Sequence, residues 1–273
     1  MRLLIVKTSS MGDVVHALPA VADAHEWALA QGVSLEIDWL VEPAFAALPE
    51  LHEGVQQVHR LPWRKWRKAL FKPATARATW QAMRDLRRTL RARSYDLVVD
   101  CQGLLKSAWW ARQAGAPVAG YDRKSIREPL ASLFFHQRHP VGRELHAVER
   151  CRRLMHMALN QQASPGARTD SFTAQQPSLP PPDFGLQRPT LARPYHHAEL
   201  KPDYFVLIPN ASRPEKHWPD PDWQAVGLHL AARGWQPVVL WGSRAEEAMA
   251  QRIAQGCGGW VPPFLTVEEA ARL

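Results

Sequence analysis

Four consecutive apolar residues, Leu3-Leu4-Ile5-Val6, run directly into the polar stretch Lys7-Thr8-Ser9-Ser10-Met11-Gly12-Asp13. A strand apolar on both of its side-chain faces must be covered on both, which is the condition of a parallel sheet inside an α/β fold. Gly12 lets the backbone turn without a steric penalty. Asp13 stands where an N-cap or first-turn residue belongs, and Val14, Val15, Leu18, Val21 and Ala22 continue at helical spacing.

The same pattern recurs. Tyr95 to Val99 reads as another buried strand, Asp100-Cys101-Gln102-Gly103 is a polar loop, and a helix follows from Leu104 to about Ala114, with Lys106 and Ser107 in its first turn. Ser34 to Val41 and Pro117 to Tyr121 read as further strands, and Glu128 to Phe135 and Leu145 to Leu159 as helices. Tyr204 to Pro209 restarts the series, followed by a polar loop and a helix to about Ala232 opened by Asp220 and Pro221. That cap chemistry also accounts for the Asp220-Pro221-Asp222 spacing, which otherwise spells a metal motif. Val238 to Trp241, Gly242-Ser243 and a helix carrying Glu246 and Glu247 come next, with a third strand of this half expected near Trp260-Val261. Strands alternating with helices predict an α/β fold of parallel sheets. Open sheets of this kind bind ligands in loops at the carboxyl ends of their strands. Asp13 is therefore a candidate catalytic carboxylate beside amide donors, although a plain helix cap fits the same spacing.

Residues 161 to 202 change character, with Ser164-Pro165-Gly166, Pro180-Pro181-Pro182, Pro189 and Pro194, and read as an interdomain linker. The expected division is a first lobe at 1–160, the linker at 161–202, and a second lobe beginning at 203. Asp183-Phe184-Gly185 matches a kinase signature but lacks the companion motifs. Thr266-Val267-Glu268-Glu269 is a capping box for a helix that barely begins before Leu273. The second lobe is thereby about 70 residues long, small for a nucleotide-binding lobe, and the chain is expected to be truncated.

No apolar run approaches the roughly 18 residues of a spanning helix. The short strand-like start lacks the plan of a secretory signal. Three scattered cysteines, Cys101, Cys151 and Cys257, lack metal-ligand spacing and suit a reduced compartment. A net charge of +8 implies an acidic partner without naming it. Residues 59 to 93 concentrate that charge against a single acid, Asp85. Trp80, Met83, Leu86 and Leu90 mark one face of a helix there, with arginines largely opposite. Pro62 to Lys72 interleaves Trp63, Trp66 and Phe71 with cations, which suits a headgroup zone or a phosphate-bearing amphiphile. Nucleic acid is the competing partner, but no helix-turn-helix, zinc-finger or RNA-recognition signature accompanies the charge.

Several of these pieces together resemble the lipopolysaccharide heptosyltransferases of glycosyltransferase family 9, the heptosyltransferase I branch above all. They are Lys7 to Asp13, Trp66-Arg67-Lys68, Asp100 to Ser107, Arg127 to Phe134, His146 to Arg150, Lys216-His217-Trp218-Pro219 and Trp241-Gly242. The resemblance implies a GT-B fold of two Rossmann-like lobes with parallel sheets, the second incomplete here. It implies an inverting, metal-independent transfer of L-glycero-D-manno-heptose from ADP-heptose to the Kdo sugar of Kdo2-lipid A, without a cofactor. By resemblance Asp13 is the catalytic base. Ser212, Lys216 and Glu246 bind the donor. Ser10, Gly12, Arg64, Arg67, Lys68, Gln102 and Lys106 meet the acceptor. The expected setting is a monomer at the cytoplasmic face of the inner membrane, touching it through the basic Trp-containing loop and binding no nucleic acid. Two departures from the family pattern stand out. The Asp-Thr-Gly-Leu-Ser-His segment is absent and would lie just beyond Leu273, and Ala211 replaces a hydroxyl residue. A truncated chain that binds the acceptor without transfer, or a family member adding a later heptose, are the alternatives.

Overall fold

Leu3, Leu4, Ile5 and Val6 are fully buried, and the strand they form, β1 (Arg2–Val6), is central in a six-stranded sheet. The computed structural model describes residues 1–164, 179–186, 193–211 and 214–273. Within it the chain divides into two units, Met1–Thr190 and Leu191–Leu273.

In the first unit, chain order runs β1, α1 (Met11–Ala17), α2 (Pro19–Ala30), β2 (Glu36–Val41), α3 (Ala47–Glu50), β3 (Gln57–Arg60), α4 (Trp63–Ala69) and α5 (Pro73–Ala92). It continues through β4 (Leu97–Asp100), α6 (Leu105–Gln113), β5 (Val118–Tyr121), a 3-10 helix at Pro129–Phe134, β6 (Gln137–His139) and α7 (Ala147–Ala163). The strands lie in the order β3-β2-β1-β4-β5-β6, and every pairing is parallel. That order reverses direction between β1 and β4, which makes their carboxyl ends the switch point where doubly wound sheets take ligands. Val6 is in register with Asp100, so the two polar loops leave the sheet side by side.

The helical spacing after Asp13 is real but interrupted. Pro19 has no N–H to donate, and the run divides into α1 and α2 at Leu18. The Trp-containing basic stretch at 62–72 is not a loop. Most of it is α4, with Trp66 buried and its ring centroid 5.6 Å from that of Trp110. The helix expected at Glu128–Phe135 is the shorter 3-10 turn. Two strands, β3 and β6, were not anticipated. Residues 179–186 of the Pro-rich segment lie against the first unit: Pro180 O accepts from Arg152 at 2.7 Å and Gly185 O from Glu53 N at 3.3 Å.

A polar cluster sits near the opposite, amino-terminal side of the sheet. Asp38 on β2 accepts from Tyr95 Oη at 2.7 Å and Arg93 Nε at 2.8 Å, and lies 3.4 Å from His59 Nε2. Burial acts to raise its carboxyl pKa, but the bonds from His59, Arg93 and Tyr95 outweigh burial and hold it below the usual range. The cluster ties β2 to β3 and to the residues before β4.

The second unit contains β7 (Tyr204–Leu207), a 3-10 turn at Pro214–Lys216, α8 (Asp220–Ala231), β8 (Gln236–Val239), α9 (Arg244–Cys257) and α10 (Val267–Arg272). Strands β7 and β8 pair in parallel, and Val238 forms one isolated bridge with Trp260 where a third strand was expected. Leu207, Val239, Ala250, Ile253 and Ala254 form its core. Helix α8 begins one residue earlier than the Asp220-Pro221 cap predicts. Pro219 is its N-cap, and the Asp220 carboxylate instead accepts from Arg252 Nε at 2.8 Å. Gly258, at φ +66, closes α9 in the left-handed conformation that favours glycine. The capping box is present: Thr266 Oγ1 accepts from Glu269 N at 3.2 Å, and Glu269 Oε2 from Thr266 N at 2.8 Å.

Candidate active site

Beyond Val6 the chain leaves the sheet, and the N–H groups of Thr8 and Ser9 need partners other than a strand. Gln102, in the loop after β4, supplies them. Its Oε1 accepts from Thr8 N at 2.8 Å, Ser9 N at 3.1 Å and Thr8 Oγ1 at 3.3 Å. Lys7 is buried and donates from Nζ to Cys101 O at 2.8 Å. The two switch-point loops are thus clasped in both directions.

The second loop has its own anchor in Asp100, which is fully buried and accepts from Gln102 N at 2.8 Å, Gly103 N at 3.0 Å and Ser107 Oγ at 2.8 Å. Burial pushes its pKa up to about 6, while the three donors and the Lys7 charge act against that rise. Gly103, at φ +69, takes a turn that L side chains rarely adopt.

Asp13 lies in the first turn of α1, and Ser10 is the N-cap. Asp13 Oδ2 accepts from Ser10 N at 2.8 Å and Ser10 Oγ at 3.2 Å. Gly12 is not where the backbone turns: it lies inside α1, and a Cβ there would meet nothing within 4 Å. Asp13 also lines a cavity of about 160 Å³ with Lys7, Gln102, Arg127 and Arg150. It is the one carboxylate among those lining residues. Arg150 Cζ stacks 4.7 Å over the Tyr121 ring and Nη2 donates to Ser125 O at 2.6 Å. Its Nε is buried with no partner among the described residues. Two arginines and a buried lysine around a carboxylate make a place for an anionic ligand beside a proton acceptor.

Lys106, Arg64 and Arg67 gather beside this loop. Lys106 Nζ donates to Ser9 Oγ at 3.3 Å. Its pKa is held down by burial and by the charges of Arg64 and Arg67, against Glu42, which acts to raise it. Arg64 N donates to Glu42 Oε1 at 3.2 Å. Lys68 is exposed on α4.

In the second unit, the loops after β7 and β8 leave one edge of the parallel pair and are joined by Asn210 Nδ2, which donates to Leu240 O at 3.2 Å. Lys216 is exposed in the first loop. Glu246, in the first turn of α9, accepts from Gly242 N at 2.8 Å and so shapes the second loop. Ser212 lies outside the described residues. Among the described residues no group of three or more His, Cys, Asp or Glu side chains is placed to hold a metal ion.

Residue-by-residue reading missed Lys7, Arg127 and Arg150 as parts of the cavity. All three fall within segments that carry the family resemblance, and that was the available signal.

The model for glycosyltransferase family 9 (heptosyltransferase) matches residues 83–273. The chain belongs to glycosyltransferase family 9. This family 9 chain is 39% identical over 263 residues to lipopolysaccharide heptosyltransferase 1 of Pseudomonas aeruginosa, covering 94% of its own length and 65% of the relative's. It is 39% identical over 277 residues to the protein of the same name from Escherichia coli K12, covering 100% of itself and 78% of that protein. Its structure is similar to E. coli heptosyltransferase WaaC solved with ADP-2-deoxy-2-fluoro heptose, with a TM-score of 0.81 and 34% identity, covering 100% of this chain and 79% of that one. E. coli ADP-heptose lps heptosyltransferase II shares the fold at a TM-score of 0.70 and 18% identity. The α/β architecture expected from the alternating strands and helices is the one these structures have.

Proposed function

We propose that this family 9 chain is an inverting glycosyltransferase that moves L-glycero-D-manno-heptose from ADP-heptose to the Kdo sugar of Kdo2-lipid A. The observation that carries the reading is Asp13, a lone carboxylate in a cation-lined cavity at the switch point of the first sheet. Relatives and a solved neighbour named for heptosyl transfer support the donor and the reaction.

Asp13 takes the proton from the acceptor hydroxyl as its oxygen attacks the anomeric carbon. The new glycosidic bond forms on the face opposite the leaving group, so the configuration inverts, and ADP departs with the bonding electrons. Lys216 and loop N–H groups near α9 receive the diphosphate charge without a metal, and Glu246 and Ser212 complete the donor site. Arg127 and Arg150 take the carboxylate of the acidic acceptor sugar. Arg64, Arg67, Lys68 and Lys106 meet lipid phosphates, with Ser10, Gly12 and Gln102 shaping the acceptor loop. The protein works as a monomer on the cytoplasmic surface of the inner membrane. The division of labour is an acceptor lobe at 1–160, a linker at 161–202 and a donor lobe from 203.

Transfer of labelled heptose to Kdo2-lipid A tests the reading. Asp13→Asn keeps an oxygen for the Ser10 N–H but loses the base. The expected result is an unchanged fold with transfer reduced by about 10²–10⁴-fold. Turnover equal to the parent protein would sink the base assignment. Acceptor binding without transfer is the alternative reading. Acceptor binding by the parent chain with no heptosylated product would select it.

A further inference from the structure

Cys101 and Cys151 lie far apart in sequence, and the fold brings their thiols together. Cys101 opens the loop after β4, and Cys151 belongs to the second turn of α7. Both side chains are buried, yet both line the cavity of about 160 Å³ that Asp13 lines. The two thiols are hydrogen-bonded to each other, and Tyr121 Oη donates to Cys151 Sγ at 3.9 Å. Lys7 and Arg150 stand in the same wall. The bond from Cys101 holds the Cys151 thiol below its ordinary pKa against the effect of burial, with help from Lys7, Tyr121 and Arg150. The same bond, together with burial, holds the Cys101 thiol up. Cys151 is therefore the thiolate of the pair and Cys101 its proton donor.

We propose that Cys101 and Cys151 are a modification site, a dithiol that a small peroxide converts to a disulfide and that thereby disables the cavity it lines. The way in selects the oxidant: a cavity of about 160 Å³ admits hydrogen peroxide but not a glutathione-sized disulfide. The Cys151 thiolate attacks one peroxide oxygen, the O–O bond breaks, the sulfur is oxidised to a sulfenic acid and hydroxide leaves. That hydroxide takes the Cys101 proton and becomes water. The Cys101 thiolate then attacks the Cys151 sulfur, the S–O bond breaks, and the second hydroxide leaves as water with a proton from solvent. One peroxide is reduced to two waters while two thiols are oxidised to one disulfide. In a reducing compartment such bonds are transient and redox-sensing. A covalent link in place of a hydrogen bond draws the loop after β4 toward α7. In that loop Cys101 O holds Lys7, and Gln102 holds Thr8 and Ser9, so the displacement passes to the stretch leading to Asp13. Its effect on heptose transfer rests on the activity proposed above; formation of the bond and loosening of the loop do not.

The test treats the full chain with hydrogen peroxide, removes the excess with catalase and counts thiols after unfolding in denaturant. The count should fall from three to one and return to three with dithiothreitol. Peptide mapping by mass spectrometry should find Cys101 joined to Cys151 with the loss of two hydrogens, and Cys257→Ala, in the second unit, should form the same bond. Amide hydrogen exchange reads the loop directly, and the segment of Thr8 and Ser9 should exchange about tenfold faster or more once oxidised. Heptose transfer should fall about tenfold or more and recover with dithiothreitol, whereas Cys151→Ala should transfer at the same rate before and after peroxide. Three thiols remaining overturns the proposal, as does a sulfinic acid on Cys151 with Cys101 still free, or a bond through Cys257. Unchanged exchange at Thr8 and Ser9 in the cross-linked chain, or unchanged transfer, overturns the control. A reduced chain that transfers nothing overturns the transferase reading instead, and the peptide map and hydrogen exchange then decide the site by themselves.

Discussion

Gln102 Oε1 does for Thr8 and Ser9 what a neighbouring strand does for the residues before them: it accepts their N–H groups in a buried setting. Gln102→Leu leaves both donors without a partner, at a cost of about 1–3 kcal/mol each. Urea unfolding should show that loss, and transfer should fall with it because the loop leads to Asp13. Gln102→Glu keeps an acceptor oxygen and should recover much of both. On the donor side, Lys216 is exposed, so Lys216→Ala should leave stability unchanged. Calorimetry should show ADP binding weakened about tenfold or more, the worth of a charge-assisted contact, and unchanged ADP affinity would refute the assignment. Asp13 and Gln102 were legible in the sequence because each lies in the polar stretch between an apolar strand and a helix. Lys7 was not, since a lysine closing a strand reads as solvated until Cys101 O is brought beside it. Arg127 and Arg150 reach the cavity from distant stretches of chain, and no local spacing reports that.

Among the elements, α4 shows how charge hid a helix. Trp63, Trp66 and Leu70 recur at helical spacing, but the cations between them made the stretch read as a surface loop. Trp66 packs against Trp110, so Trp66→Ala should destabilise the protein by about 3–5 kcal/mol in chemical denaturation. A role confined to a membrane surface predicts no such loss. The apolar strands β1, β2 and β4 and the helix after each polar loop were legible, because a central parallel strand must be apolar throughout. The strands β3 and β6 were not, for they are the two edges of the sheet and read Gln57-Val58-His59-Arg60 and Gln137-Arg138-His139. An edge strand is covered less and carries the polar residues that sequence reading assigns to loops.

At the scale of the whole molecule, stability will depend on pH through opposed buried groups. His139 is fully buried, with neither ring nitrogen bonded among the described residues. Burial pushes its pKa from 6.5 down to about 4. The unfolded chain takes up that proton first, so this contribution is complete above pH 6.5 and is lost as pH falls towards 4, by about 3 kcal/mol. Asp100 works the other way. Its pKa is raised to about 6, so its contribution is complete below its ordinary value of 3.8 and is lost as pH rises through 6. His139→Leu removes one of the two slopes. Relative to the parent, the variant should therefore gain urea resistance on going from pH 7 to pH 5, and parallel midpoints would contradict the assignment.

The clasp between the two switch-point loops also bears on how such a protein can be altered by recombination. Lys7 and Gln102 each bind the other's loop through a backbone group, although more than ninety positions separate them. A crossover between relatives anywhere from Asp13 to Asp100 joins one parent's first loop to the other's second. The two loops must therefore match as a pair, and a graft that carries one without the other begins with a mismatched clasp beneath Asp13.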